Sequence, residues 1–380
     1  IRKPVETIMD CPMCGFSGSE TILSKPSITI FTNTSDEFGE NFGKHNCILK
    51  QCKRCGHVFQ PISKKLRNTL EGIYQSNQAQ LTTSLGVGSW GKERAPYLFE
   101  KLKGIDDYKT KSVLEVGCGN GYILKILKEV GFQHLVGIEP SLEKTEEVDG
   151  ILFLKEFASN KINLDTRFDF ILTSGVYEHI PDIDSITSFC NNHLDDNGVL
   201  FIYVPNCSRY LADGDPAVFA HEHIHYFVEN SIKCHLSKYG YEVIDNQSDD
   251  HALAVYAKKN DVIRNENFVV EAYKKFQNKI DEKLEKVNKI LSENNSVIIH
   301  GACNGLNNIL GWLGRNFDYT LVDNDNTKHG KTFFGKRVES LDTVNLVNYD
   351  TVLIIPAYFS EAIKAAYVER GFRGQFVMLT

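Results

Sequence analysis

The stretch 113–122 constrains the fold of this chain more than any other. A short apolar run, Val113-Leu114-Glu115-Val116, breaks into Gly117-Cys118-Gly119-Asn120-Gly121, and a helical pattern follows through Ile123, Leu124, Ile126 and Leu127. That order is strand, glycine turn, helix, which opens a parallel α/β unit. Glycines at such a turn let the backbone bend sharply and approach a ligand where a Cβ would block it. Two further features strengthen the triplet. Glu115 sits inside the strand, just before the glycines. A second strand, His134-Leu135-Val136-Gly137-Ile138, ends in Glu139. A carboxylate at that strand tip is placed to accept hydrogen bonds from a ribose diol. The bland alternative is an α/β turn that holds no ligand.

The arrangement resembles the class I S-adenosylmethionine (SAM) methyltransferases, which carry ExGxGxG where nucleotide dehydrogenases carry GxGxxG. The resemblance implies that Gly117, Gly119 and Gly121 line the methionine and ribose part of SAM. It implies that Glu139 binds the ribose hydroxyls, and that Glu115, Glu156 and Phe157 complete the cofactor-binding set.

Composition bounds the rest. A chain of 380 residues suggests two or three domains. The net charge of −7 argues against a broad electrostatic footprint for nucleic acid. No apolar run is long enough to span a membrane, and the first residues, which begin at Ile1, show no signal-peptide pattern. Ten cysteines in so long a chain do not make a disulfide scaffold. The expected setting is the reducing cytoplasm, with no membrane partner and with a monomer favoured.

Four of those cysteines pair up. Cys11-Pro12-Met13-Cys14-Gly15 and Cys52-Lys53-Arg54-Cys55-Gly56 are two CxxCG knuckles. Together they supply the four thiolates of a tetrahedral zinc site, with glycine permitting each tight turn. Four protein ligands leave no position for water, so the expected zinc is structural. Cys47 and His57 are nearby substitutes that break the symmetric spacing. Between the knuckles a hairpin is expected, with 28–31 as one strand. Helix is expected around 66–74 and again at 95–102.

Beyond the glycine turn, strands are expected at 168–172 and 198–205, with a closing antiparallel pair at 240–243 and 252–257. Apolar positions at Phe268, Ala272, Phe276, Ile280, Leu284, Val287 and Leu291 predict an amphipathic helix over 262–293. A second α/β unit follows. Val297-Ile298-Ile299-His300 enters Gly301-Ala302-Cys303-Asn304-Gly305, a helix covers 306–313, and strands at 319–322 and 351–355 close on Asp323 and Pro356. This second glycine turn lacks the full fingerprint. It is open between a phosphate cradle and a simple tight turn. The fold class is therefore α/β: a Rossmann-like domain flanked by a small zinc-binding module (1–75) and a second Rossmann-like domain. The division runs 1–75, 76–260 and 261–380, the last including the connecting helix.

Two histidine-bearing loops follow strands of the first domain. One is Val176-Tyr177-Glu178-His179-Ile180-Pro181-Asp182, at the crevice where open α/β sheets bind ligands. The other is 219–227, where His221, Glu222, His223 and His225 fall within five positions. A histidine beside a carboxylate is held in one tautomer and poised as a general base. A metal site is the rival reading, but no HExxH helix is present, and base is favoured over metal.

The three-part order resembles the sugar C-methyltransferases of deoxysugar biosynthesis, and the segment Val322-Asp323, Lys328 and Gly330 is similar to that family's VDxxxxKxG pattern. The resemblance implies methylation at C3 of a nucleotide-linked 4-keto sugar. It implies that His223 takes the C3 proton, that Glu222 binds or orients the sugar or its base, and that His179 and Tyr74 line the sugar pocket. The chain departs from the family at Ala220, where tyrosine is usual, and at Glu178, where alanine often precedes the histidine. Two other functions stay in view: O-methylation of a sugar or small metabolite, and nucleic-acid binding through the zinc ribbon.

Overall fold

The computed structural model of the chain describes residues 10–31, 42–75, 108–159, 161–162, 164–246, 248–260, 272–294 and 296–379. They form two compact units. The first holds the described residues of 1–21, 49–208 and 223–272, and the second those of 22–48, 209–222 and 273–380. The helix expected at 95–102 lies outside the described residues.

The chain opens with strands β1 (Ser19–Thr29), β2 (Lys44–Cys52) and β3 (Val58–Phe59), followed by helix α1 (Lys64–Gln75). The strand expected at 28–31 is the end of β1, which begins nine residues earlier and stops at Thr29. Its middle, Ser24-Lys25-Pro26-Ser27, is polar and mostly exposed, so no apolar alternation announces it. Helix α1 buries Leu66, Leu70 and Ile73, an i, i+4, i+7 stripe.

The Rossmann-like part of the first unit runs β4 (Ser112–Val116), α2 (Tyr122–Val130), β5 (His134–Ile138), β6 (Glu146–Val148), β7 (Ile151–Leu154), β8 (Phe168–Ser174), α3 (Ile183–His193) and β9 (Leu194–Pro205). It then continues with β10 (His225–Tyr226), α4 (Glu229–Ser237), β11 (Tyr241–Asn246) and β12 (Ala252–Lys259). Eight of these strands form one sheet in the order β11-β12-β9-β8-β4-β5-β7-β6. The pairs β4·β5, β4·β8, β5·β7 and β8·β9 are parallel, while β12 is antiparallel to both β9 and β11. The chain departs from β4 in both directions, so the switch point where such sheets bind ligands lies at the tip of β4. Alternation covers both faces. Leu114, Ile171, Ile202 and Val255 join one buried cluster, whereas Val113, Phe170, Leu172, Phe201 and Tyr256 join another.

In the second unit the long helix α5 (Phe276–Glu293) buries the expected stripe Phe276, Ile280, Leu284, Val287 and Leu291. It starts later than expected. Tyr273 is buried and its carbonyl accepts from Phe276 N at 3.0 Å, a turn that precedes the first helical residue. Phe268 lies outside the described residues. The strands β13 (Val297–His300), β14 (Thr320–Val322), β15 (Thr332–Phe333), β16 (Lys336–Glu339), β17 (Thr351–Ile354) and β18 (Gln375–Met378) form a sheet in the order β15-β16-β14-β13-β17-β18. All pairings except β15·β16 are parallel. Helices α6 (Asn304–Leu313) and α7 (Ser360–Glu369) complete this second α/β unit. Among the described residues no helix is long and apolar enough to cross a membrane.

Candidate active site and candidate metal centre

The glycine turn begins where β4 ends. Gly117, Gly119 and Gly121 all have positive φ, and the last is the residue from which α2 springs. A Cβ on Gly117 would lie 2.4 Å from Val176 Cγ2, and one on Gly121 would lie 2.5 Å from the Phe153 ring. Both positions thus require glycine twice over, for backbone conformation and for space. Glu139, at the tip of β5, reaches back to this turn. Its carboxylate accepts from Gly119 N at 3.2 Å and from Ser141 N and Oγ at 3.0 and 2.7 Å. The expected ribose ligand therefore also fastens the glycine turn.

Glu115 is 1 % exposed. Neither of its carboxylate oxygens has a hydrogen-bond partner among the described residues. Burial pushes its carboxyl well above the ordinary range, and the neighbouring Glu139 adds to the rise. A buried acid with no donor, beside a second acid, is a site that a cationic ligand would satisfy. SAM carries a sulfonium and an ammonium, so these residues fit it. Glu156 and Phe157 follow β7, the next strand over, and both are exposed; the Phe157 ring is 41 % exposed.

The loop after β8 begins at Val176, the residue that occupies the space over Gly117. Tyr177 is fully buried and anchors the loop in the core, with its hydroxyl accepting from Thr187 Oγ1 at 3.3 Å. Glu178 and His179 follow on the same short 3-10 turn. His179 Nδ1 lies 3.1 Å from Tyr74 Oη on α1, and its Nε2 lies 3.8 Å from Glu178 Oε1. The His223 ring stands edge-on to His179, with centroids 4.9 Å apart. Glu178, His179 and His223 each offer one ligand-type atom, and these atoms all lie within 4.8 Å of one another.

The backbone around His223 is sewn in place. Ile224 N donates to Glu178 O at 2.7 Å, Gln60 N donates to Ile224 O at 2.8 Å, and Gln60 Nε2 donates to His223 O at 2.9 Å. Strand β10 pairs with β3. Gln60 is a positioning residue with no signal in the sequence, because its partners are carbonyls 163 residues away.

The histidine-rich loop divides its labour. His225 is buried, with Nδ1 3.1 Å from His57 Nε2 and Nε2 3.0 Å from Ile180 O. Burial lowers its imidazole to about 4. In the second unit His221 is buried, with Nε2 3.1 Å from His45 O and 3.9 Å from Cys47 Sγ. Burial lowers it to about 4 as well. His223 alone of the three is only half-buried and joins the trio. Glu222 falls in the second unit and is not a member of it.

The four knuckle cysteines come together as expected. Cys11 Sγ and Cys55 Sγ are 3.6 Å apart, as are Cys14 Sγ and Cys52 Sγ. Sulfurs about 2.3 Å from a tetrahedral zinc stand about 3.8 Å from each other, so the set fits that ion. Each knuckle closes through glycine: Gly15 N donates to Cys11 O at 2.8 Å and Gly56 N to Cys52 O at 3.0 Å. The substitutes Cys47 and His57 are engaged elsewhere, beside His221 and His225. A fifth thiol, Cys234, lies beside Cys55.

The second glycine turn is braced by its own unit. Asp323 Oδ2 accepts from Ala302 N at 2.8 Å and from Lys328 Nζ at 3.1 Å. Asn304 Nδ2 donates to Phe219 O at 2.6 Å, and Asn308 Nδ2 to Pro216 O and Phe219 O, both at 2.7 Å. The VDxxxxK spacing is thus the spacing of one ion pair across a turn, and these bonds favour the tight-turn reading over a phosphate cradle.

Residues 90–246 match the family model described as a methyltransferase domain. This stretch is a methyltransferase domain. The ubiquinone biosynthesis O-methyltransferase of Pasteurella multocida (strain Pm70) is 30% identical over 131 residues, covering 30% of this chain and 52% of that protein. The ribosomal protein L11 methyltransferase of Helicobacter acinonychis (strain Sheeba) is 30% identical over 146 residues, covering 34% of this chain and 43% of that protein. The chain thus spans about half the length of the curated relatives it matches. Among solved structures, the 1,6-didemethyltoxoflavin-N1-methyltransferase of Burkholderia thailandensis is 17% identical, with a TM-score of 0.39 over 54% of this chain and 96% of that one. None of these three is, by its name, a sugar methyltransferase.

Proposed function

We propose that the protein is a SAM-dependent methyltransferase acting on a small acceptor, and specifically that it methylates carbon on a nucleotide-linked keto-deoxysugar. The observation that carries this reading is the contact between Val176 and Gly117. It brings the loop bearing Glu178 and His179 against the turn that would hold SAM. The division into a zinc-binding module (1–75), a methyltransferase domain (76–260) and a C-terminal Rossmann-like domain (261–380), in a cytoplasmic setting, belongs to the same proposal. So does a structural zinc on Cys11, Cys14, Cys52 and Cys55.

SAM, when bound, supplies an electrophilic methyl group on a sulfonium. Glu115 and Glu139 meet its positive charge and its ribose hydroxyls, Gly117, Gly119 and Gly121 line its path, and the exposed Phe157 ring offers a stacking face next to Glu156. His223 takes the proton from the carbon beside the acceptor's carbonyl. The charge moves onto oxygen as an enolate, and a hydrogen bond from the Tyr74–His179 pair stabilises it there. Glu178, 3.8 Å from His179 Nε2, balances positive charge that arises on the imidazoles. Glu222, next to His223 in the chain, orients the acceptor. Alignment of the enolate carbon with the methyl group supplies much of the acceleration.

The test is His223→Ala. Methyl transfer falls by about 10²–10⁴-fold, the usual worth of a general base, while SAM affinity measured by calorimetry stays unchanged. Retained turnover, or lost SAM affinity, contradicts the role. The O-methylation reading is favoured by the similarity to ubiquinone biosynthesis O-methyltransferases. Deuterium exchange separates the two. Enolate chemistry exchanges the acceptor's α-proton with solvent, and transfer to a hydroxyl does not.

A further inference from the structure

We infer that Glu178, His179 and His223 form a binding site for one divalent transition-metal ion, distinct from the four-cysteine centre, and that filling it silences His223 as a base. The second half rests on the role proposed above for His223; the first half does not.

The geometry points to a ligand set. The three ligand-type atoms lie within 4.8 Å of one another. Around a tetrahedral ion held at about 2.1 Å, ligand atoms stand about 3.4 Å apart. One pair, His179 Nε2 and Glu178 Oε1, is already at 3.8 Å, so small side-chain rotations close the set. The surroundings are those of a metal ligand. Tyr74 Oη lies against Nδ1 of His179 at 3.1 Å, on the opposite side of the ring from the Nε2 that faces Glu178; an oxygen on the far nitrogen fixes tautomer and ring orientation in metal-bound histidines. The two loops that supply the ligands are joined by the Ile224 N to Glu178 O bond at 2.7 Å, and Gln60 holds the His223 carbonyl at 2.9 Å. The ligand frames are therefore set before an ion arrives.

Donor chemistry sets the class of ion. Two imidazoles and one carboxylate suit zinc, cobalt, nickel or ferrous iron, whereas magnesium and calcium prefer all-oxygen sites. Three protein ligands leave coordination positions open to water or to the acceptor. An ion on His223 occupies the lone pair that must take the proton, so occupation and base catalysis exclude one another.

The experiment uses the full chain with its four-cysteine centre loaded with zinc, titrated with cobalt(II) and read by visible absorption. Nitrogen–oxygen ligation gives weak d–d bands without the near-ultraviolet thiolate charge-transfer band of cobalt on cysteine. One equivalent of such cobalt is expected, undisturbed by excess magnesium. His223→Gln loses it, and Tyr74→Phe, which removes no ligand, weakens it by about 10–100-fold. Absence of those bands overturns the site, and so does cobalt bound by both variants at wild-type affinity. If His223→Gln does not fold, as judged by circular dichroism, Tyr74→Phe decides alone. In the activity arm, methyl transfer declines in step with cobalt occupancy and returns on adding a chelator. Cobalt bound with turnover unchanged leaves the site standing and overturns the silencing, because His223 is then not the base.

Discussion

At the scale of single residues, the decisive group is Glu115. Its carboxyl is buried, without a donor among the described residues, and pushed well above the ordinary range by burial first and Glu139 second. The sign of its effect on stability follows. A folded-state pKa above the unfolded value means a contribution fully present below about pH 4.3 and lost as pH rises through the folded value. Near neutral pH, Glu115 therefore weakens the ligand-free protein, a cost that the proposed SAM contact would offset. Glu115→Gln should raise the melting temperature of the ligand-free protein at pH 7 while weakening SAM by about 10–100-fold, the worth of a charge-assisted contact. Calorimetry on both states checks this. A lower melting temperature with unchanged SAM affinity would sink the idea. Glu115 and Glu139 were legible in the sequence because each sits at a fixed offset from a glycine turn or strand end. The histidine loop was legible only as a cluster. What separates His223 from His221 and His225 is the position of His179, His45 and His57, and no spacing within 219–227 encodes those distant partners.

At the scale of elements, the strands of the central sheet were readable because they are short, apolar and bounded by glycine or acid. Strand β1 was not, since its middle is polar and exposed. The knuckles were readable as a four-cysteine cluster, but not where they would sit. Cys11, Met13, Cys52 and Cys55 belong to the same buried cluster as Leu114 of β4, Ile202 of β9 and Val255 of β12. The cysteine knuckles are thus continuous with the core of the central sheet, and if they hold the proposed zinc, its loss would loosen more than a peripheral module. For Cys52→Ser we expect zinc content near zero by atomic absorption and a loss of about 4 kcal/mol or more in unfolding free energy, the range seen when a structural metal is lost. A variant that keeps its stability without zinc but loses turnover would instead make the ion a participant in chemistry.

Across the whole molecule, buried histidines are spread over both units. His221, His225 and His300 are each lowered to about 4, and His235 to about 3, with burial the largest cause in every case. Their hydrogen-bond partners are neutral: His45 O for His221, Ile180 O for His225, Tyr367 Oη for His300 and Thr187 Oγ1 for His235, while the Asp184 carboxylate, 3.9 Å from His235 Nδ1, only partly offsets the burial of that ring. None of these contacts requires a charged ring. On unfolding, each imidazole regains its ordinary value near 6.5 and takes up a proton. For a folded pKa below the unfolded one, stability is fully present above about pH 6.5 and is lost as pH falls toward the folded value. Glu115 and Asp215, both raised by burial, act in the opposite direction, and His57, lowered by burial, adds to the histidines. At pH 5 each of the four histidines takes up nearly one proton on unfolding, which removes up to about 1.4 kcal/mol of stability per pH unit per ring, and the histidines outnumber the opposing acids. The melting temperature should therefore drop steeply between pH 6.5 and 4.5, and the ring protons of these histidines should not titrate above pH 5 in NMR of the folded chain. A melting temperature that stays level from pH 7 to pH 5 would mean that these rings are hydrated and charged, and that the packing around β10 and β13 is looser than their burial indicates.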